Sequence, residues 1–383
     1  EDQNFIVDEE RLFKIDATWP NTNINGYPES PYTISCWQAK TGNLIWTYTF
    51  TDQLMTVSNR QNESVFTQDD SGRYLFFSSD GKTLMLTKDN GSFITVLNME
   101  IGDNVFSEGD SVYTLKEDGI YSISLQSGQT KKVYRGNIAK GAARRLEGKI
   151  HFLALEGMTL FRCIFDPTTE KVRLERIVDN PANDGLVSYK LLGIDVSGNI
   201  IINAITSYKN TIMVYGRDNR LSFTTFMTNS NYTATPVYDA GGNCNYLAYT
   251  WETRSGSGSS RRYYTQVKVM GIYNGYSQTN NVYDSNGSPS IASNVIFARE
   301  LSGKVHVCTG AYWTWILNTN SYGNGPAHGY PERTKVFTFD PVAGTAMMGN
   351  VNDLGLGLVT REYGVFSDTL AAVQTGNNNP GLS

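Results

Sequence analysis

Regularly spaced hairpin corners constrain this chain more than anything else in it. Turns fall near Gly42, Gly91, Gly128, Glu170, Asn219, Gly275 and Gly344, a step of about 50 residues. Between them almost nothing reads as a helix. Short runs rich in Val, Ile, Thr, Tyr and Phe recur instead, bounded by Gly, Asn, Asp and Ser. Residues 65–98 show the unit: Val65-Phe66, then Arg73 to Phe77, Lys82 to Thr87 and Phe93 to Leu97. Asp80-Gly81 and Asn90-Gly91 mark its two later corners, dipeptides that supply the positive φ of tight hairpins.

Four short antiparallel strands per unit, repeated at this period, are the sequence signature of a β-propeller. A small sheet with two apolar faces cannot bury both alone, and radial stacking of such sheets buries them together. The expected fold is therefore all-β, one domain over residues 1–383, with about seven four-stranded blades and eight as the alternative. The approximate blades are 1–50 with 361–375, 65–98, 104–135, 142–178, 188–226, 234–279 and 292–348. The ring is expected to close by joining the segment 5–16 to the terminal hairpin 363–373 in the first blade.

Composition bears on function more than on fold. Charged residues are 18% of the chain, against roughly 25% in an average soluble domain. Asn, Ser, Thr, Gly and 23 Tyr fill the difference, a surface chemistry frequent in secreted and virion proteins. Aromatic residues at 12% argue against a disordered chain. No stretch reaches the ~18 apolar residues of a membrane span, and no secretory apolar core is present. The start at Glu1 is compatible with removal of a leader or pro-segment, and equally with a shortened chain. Sequons at Asn62, Asn90, Asn231 and Asn286 are glycosylation candidates on surface turns.

Formal net charge is −5, unevenly distributed. Residues 131–176 carry a local net of +6, including Lys131, Lys132, Arg135, Arg144 and Arg145. A basic patch for an anionic polymer is one reading, and a solvated blade face with charges pointing several ways is the other. The acidic remainder and the lack of a nucleic-acid motif argue against nucleic acid as partner. The acidic start and the basic belt also suit neighbouring subunits of an assembly. The four cysteines, Cys36, Cys163, Cys244 and Cys308, lack C-x-x-C spacing and sit in apolar runs, as buried thiols do. A Cys244–Cys308 bridge between adjacent blades stays open.

One segment carries a family resemblance. Cys36-Trp37-Gln38-Ala39-Lys40-Thr41-Gly42-Asn43-Leu44-Ile45-Trp46 resembles the A-x-D-x-x-T-G-x-x-x-W repeat of pyrroloquinoline-quinone-type propellers. Thr41, Gly42 and Trp46 match, whereas Cys36 and Gln38 replace Ala and Asp. Asp166-Pro167-Thr168-Thr169-Glu170 and Asp340-Pro341-Val342-Ala343-Gly344 are weaker echoes that keep the Asp and lose the Trp. The resemblance implies an Asp or Thr capping the corner, Gly in the left-handed position and Trp between blades. It implies fold rather than redox activity: the quinone- and calcium-holding features and the adjacent cysteines of the dehydrogenases are not found here. The non-enzymatic scaffold branch fits equally, and no cofactor is implied.

Catalytic signatures are few. Ser78-Ser79-Asp80-Gly81-Lys82-Thr83-Leu84 resembles a sialidase Asp-box but lacks a spacer and the Trp, and an Asp-Gly corner accounts for it. Gly109-Asp110-Ser111 resembles a short esterase motif but falls at a strand turn. His151 and His306 lie in apolar strand runs, and His328 lies in a Gly/Pro-rich loop. No nucleophile elbow, zinc motif or phosphate loop appears. The most distinctive stretches are two insertions. One holds Trp251, Arg254, Arg261, Arg262 and Tyr263; the other holds Tyr312, Trp313, Trp315, Tyr322 and Tyr330. Tyr, Trp and Arg on scaffold loops are the residues of binding hot spots, although Trp313 and Trp315 also suit packing against a neighbouring blade.

The expected function is a non-catalytic extracellular, cell-surface or virion propeller, a structural or adhesive module. Its partners would be other protein subunits or surface glycans, with a homo-oligomer or filament compatible. A carbohydrate-active lyase or hydrolase with axial carboxylates is the alternative. A quinone-dependent dehydrogenase comes last.

Overall fold

The computed structural model describes residues 5–7, 10–16, 32–38, 41–51, 54, 65–102, 104–139, 141, 143–157, 159–179, 186–206, 210–227, 234–255, 262–282, 293–311, 335–350, 362–366 and 369–373. No helix occurs among them, so none is long and apolar enough to cross a membrane.

Two compact units divide the chain, residues 1–180 and 181–383. In the first unit, β1 (Phe5–Val7), β2 (Arg11–Asp16), β3 (Tyr32–Gln38) and β4 (Leu44–Phe50) form one antiparallel meander. The second is β5 (Val65–Gln68), β6 (Tyr74–Ser79), β7 (Lys82–Thr87) and β8 (Phe93–Leu97). The third is β9 (Asn104–Glu108), β10 (Ser111–Lys116), β11 (Gly119–Ser124) and β12 (Thr130–Arg135). In the fourth, the inner position is shared by β13 (Asn137–Ile138) and β14 (Arg144–Leu146). Both pair with β15 (Lys149–Glu156), followed by β16 (Thr159–Asp166) and β17 (Lys171–Asp179).

The second unit opens with β18 (Leu186–Ile194), β19 (Ile200–Thr206), β20 (Asn210–Tyr215) and β21 (Leu221–Met227). Next come β22 (Thr235–Tyr238), β23 (Cys244–Ser255), β24 (Arg262–Gly271) and β25 (Ser277–Val282). Last of the four-stranded meanders is β26 (Ser293–Leu301), β27 (Lys304–Ala311), β28 (Lys335–Asp340) and β29 (Thr345–Asn350). A parallel pair, Tyr238↔Arg299, links these last two meanders into one sheet. The hairpin of β30 (Glu362–Phe366) and β31 (Thr369–Val373) ends the chain.

Within each unit, each sheet sandwiches apolar side chains against the next because alternate strand positions face opposite ways. Leu75 and Phe77 of β6 join Phe13, Ile15, Ile34 and Phe50 of the first sheet. Phe76, between them in sequence, turns the other way to meet Val105, Val112 and Ile123 of the third. First strands lie side by side, β1 with β5, β5 with β9, β18 with β22 and β22 with β26. This is radial stacking within each unit.

All seven hairpin corners expected from sequence join third to fourth strands and have positive φ, from 53° at Glu170 to 70° at Gly42. Asp80-Gly81 is a two-residue turn with φ of 50° and 76°, the geometry of a tight hairpin rather than of an Asp-box. Gly109 likewise turns β9 into β10.

The first sheet departs from expectation in its make-up. Segment 5–16 supplies two strands, so all four strands come from the N-terminal side. The terminal hairpin forms a two-stranded sheet of its own, with β30 beside β26.

Candidate functional site

In an antiparallel meander, first-to-second and third-to-fourth turns emerge at one end of the sheet, and second-to-third connections at the other. The two ends are built differently.

Short turns repeating one device close the first end. Asp69-Asp70-Ser71-Gly72-Arg73, Asp195-Val196-Ser197-Gly198-Asn199 and Asp239-Ala240-Gly241-Gly242-Asn243 each join a first to a second strand. Oδ1 of the leading Asp accepts the N–H four residues on, at 2.9 Å for Arg73 and 2.8 Å for Asn199 and Asn243. The glycines take φ of 67°, 82° and 83°, a region in which a Cβ is strained. Burial opposes the charge on Asp239, but hydrogen bonds from Asn243 and Asn245 outweigh it and hold the carboxyl below its ordinary pKa. Corners echoing the family repeat use the same chemistry. Asp166 Oδ1 accepts the Thr168 N–H at 3.0 Å, and Asp340 Oδ1 accepts Val342 and Ala343 at 3.1 and 2.9 Å.

These turns also tie sheet to sheet. Ser107 N and Oγ donate to Asp70 Oδ1 and Asp69 Oδ2 at 2.9 and 2.6 Å. Arg145 donates to Asp70 Oδ2 at 2.5 Å, Glu108 Oε2 at 2.8 Å and the Ser107 carbonyl at 2.7 Å. Its guanidinium also lies over the Phe106 ring. One side chain of the fourth sheet therefore spans the second and third. In the other unit, Asn245 Nδ2 links Asp239 to Glu300 of the next meander, at 3.2 and 3.0 Å. In each unit, turns at this end of the sheets are committed to the protein's own contacts.

At the opposite end of the second unit's sheets, two strands run on past their neighbours. β23 and β24 are 12 and 10 residues long, and pairing runs from Tyr246↔Gly271 out to Ser255↔Arg262. Register sets Arg254 opposite Tyr263 and Thr253 opposite Tyr264 near the tip. The connection from β27 to β28 leaves from the same end of the adjoining meander. The strand ends that flank the two insertions, Ser255 and Arg262 for one and Ala311 and Lys335 for the other, therefore lie at the same end of this sheet. Trp251 anchors the base of the first. It is half-buried, 5.6 Å from the Tyr249 ring, with Lys268 Nζ 5.9 Å from its own ring. Arg261, Tyr312, Trp313, Trp315, Tyr322, Tyr330 and His328 lie outside the described residues.

The belt of bases in the first unit is largely ion-paired. Lys131 meets Glu170 at 2.6 Å, Lys132 meets Asp118 at 2.5 Å, and Arg145 is held as above. Arg135 is exposed at the end of β12, and Arg144 is half-buried in β14. Arg162, in the same stretch, is fully buried. Among the sequons, Asn90 is exposed, but its Oδ1 accepts the Ser92 N–H at 3.0 Å and the Thr87 hydroxyl. Asn62, Asn231 and Asn286 lie outside the described residues.

Cys36, Cys163, Cys244 and Cys308 are all buried free thiols, so Cys244 and Cys308 are not bridged. Burial pushes the thiols of Cys163 and Cys244 up to about 12 and that of Cys308 well above its ordinary value. His151 is buried in β15, and His306 in β27 meets the Thr338 hydroxyl at 3.1 Å. No group of three or more His, Cys, Asp or Glu able to hold a metal occurs among the described residues.

Sequence reasoning missed two structural parts of this frame. The D-x-x-G-x turn was visible as a repeat at positions 69, 195 and 239. Arg145 had no such signal, because its carboxylate partners stand 75 and 37 residues away.

No protein-family model matches the chain, and no curated protein matches its sequence. Over 91% of its length the chain matches the solved WD40 domain of SCAP from fission yeast, covering 86% of that chain. Identity is 9% and the TM-score 0.50. Hsv2 of Kluyveromyces lactis matches over 90% of this chain and 94% of that one, at 9% identity and TM-score 0.48. Likeness at such identity shows fold alone. With the sheets described above, it makes this chain a β-propeller.

Proposed function

We propose that this propeller is a non-catalytic protein-interaction module, structural or adhesive, working as a subunit of a larger extracellular, cell-surface or virion assembly. The observation that carries the reading is the contrast between the two ends of the second unit's sheets. At one end Asp-capped turns are closed on themselves and Asn245 ties Asp239 to Glu300 of the next meander, while at the other β23 and β24 run on as a hairpin with Arg254, Arg262 and Tyr263 in register near its tip. Rigid strands that deliver Tyr and Arg to a rim make an interaction scaffold. The low charged fraction, 18%, supports the extracellular or virion setting. The likeness of Cys36 to Trp46 to the quinone-type repeat supports kinship with the scaffold branch of that family.

Electron microscopy of the protein isolated from its source tests this. Partner density on the β23–β24 rim, lost in an Arg254→Ala/Arg262→Ala/Tyr263→Ala variant, is the expected result. Isolated particles with no partner density, together with turnover of a polysaccharide, overturn it in favour of the carbohydrate-active alternative.

A further inference from the structure

The outer strands of the seven meanders differ in how they guard their free edges. An outer strand presents unpaired N–H and C=O groups, and proteins protect such edges with charge, above all Lys. β12 carries Lys131, Lys132 and Arg135, and β17 carries Lys171, Arg173, Glu175 and Arg176. β4 carries none. Its sequence, Leu44-Ile45-Trp46-Thr47-Tyr48-Thr49-Phe50, has no charge, no proline and no glycine, and it is made of strong strand formers. Among the described residues no strand pairs with its outer side. Leu44 is 57% exposed and Ile45 45% exposed, large apolar side chains on an open edge.

The strand also reads like with like about its centre. Antiparallel pairing of two copies through Thr47 sets Trp46 beside Tyr48, Ile45 beside Thr49 and Leu44 beside Phe50. Aromatic meets aromatic, β-branched meets β-branched, and large apolar meets large apolar, all favourable cross-strand pairs. A two-fold interface requires this self-complementarity, since each contact is made twice. Of the other uncharged outer strands, β21 alone equals β4 in length, and its sequence LSFTTFM lacks that symmetry. The inner flank is already fixed. Trp46 Nε1 donates to the Lys88 carbonyl at 3.2 Å, and Tyr48 stacks on Phe93 at 6.3 Å, so β4 is held ready rather than ordered on docking.

We propose that the free edge of β4 is a self-association surface: two copies pair β4 with β4, antiparallel about Thr47, and continue one sheet across the two molecules. The occupant is a second copy of this chain, because the edge is complementary to itself and has no charge to repel itself. This goes beyond the interaction module proposed above and stands on a different unit of the chain.

The test uses the full chain. Light scattering after size exclusion, from about 1 to 100 µM, is expected to show a mass twice 42.6 kDa at the upper concentrations. Thr47→Lys, on an exposed side chain, is expected to halve that mass with unchanged circular dichroism and, at about 1 µM where both forms are monomers, an unchanged melting temperature. Thr47→Cys is expected to give a disulfide-linked dimer on mild oxidation, since opposed residues about 4.5–5.5 Å apart at Cα lie within disulfide reach. Thr49→Cys, whose neighbour would be Ile45, is not. A monomer throughout overturns the proposal and leaves the edge to an extended segment of another protein. A dimer that persists in Thr47→Lys, or Thr47→Cys that fails to cross-link, overturns it as well.

Discussion

Two glycines in equivalent corners separate backbone strain from packing. Gly42 and Gly91 have φ of 70° and 68°, but a Cβ on Gly42 meets nothing within 4 Å. On Gly91 it comes within 2.5 Å of the Trp46 ring. Gly42→Ala should therefore cost only the left-handed penalty, about 1 kcal/mol. Gly91→Ala should cost a further 1–3 kcal/mol or so for overpacking, read as a larger drop in denaturant midpoint. Equal costs would mean that the Trp46 contact relaxes freely. Arg145→Ala should cost about 2 kcal/mol, because it strands Asp70 and Glu108, both partly exposed and so partly screened. Arg145→Lys should recover little of this, since an ammonium cannot reproduce the fork that reaches two carboxylates and a carbonyl. The thiols offer a check on the core. All four are buried, and burial raises the pKa of Cys163, Cys244 and Cys308, so none of the four should react with a thiol reagent at pH 8 in the native protein, and all four should after unfolding.

At the scale of strands and turns, the Asp-capped turn is the recurring part, and its chemistry predicts an acid sensitivity. The Asp239 carboxyl has a lower pKa folded than unfolded. Its contribution is thus complete above the unfolded value of about 3.9 and is lost as pH falls through the lower folded value. Asp239→Asn should lower stability at pH 7 by about 1 kcal/mol and flatten the fall in stability below pH 4. An unchanged acid limb in that variant would remove Asp239 from the cause. These elements were legible to the degree that their signals were local. Corners at Gly42, Gly91 and Gly128 announce themselves because few residues accept that φ, and apolar runs such as Leu75-Phe76-Phe77 announce strands buried on both faces. The division of segment 5–16 into β1 and β2 was not legible, since Asp8-Glu9-Glu10 between them contains no Gly, Asn or Pro. The candidate rim was legible as composition, in Trp251, Arg254 and Tyr263, but not as geometry. Only the register shows that β23 and β24 continue as one hairpin past their sheet.

For the molecule as a whole, the charge distribution decides between two readings of the basic belt. Counted along the sequence, residues 131–176 carry a net of +6. Counted in space, two of these bases meet three acids from outside the window: Asp70 and Glu108 at Arg145, and Asp118 at Lys132. A polyanion binds by replacing counterions at free cations, so cations already paired contribute little to it. With a formal net charge of −5, the chain should give no rise in fluorescence anisotropy with a labelled DNA duplex at about 50 mM salt. The internal control is to release the cations where they stand. Asp118→Asn with Glu108→Gln removes the anionic partner of Lys132 and one of the two carboxylate partners of Arg145 without touching any base. That variant should gain weak binding that vanishes near 150 mM salt. Binding by the unaltered protein at both salt concentrations would mean that the belt is an anion surface despite its partners. Binding by neither form would mean that the strands point their bases too far apart to act together.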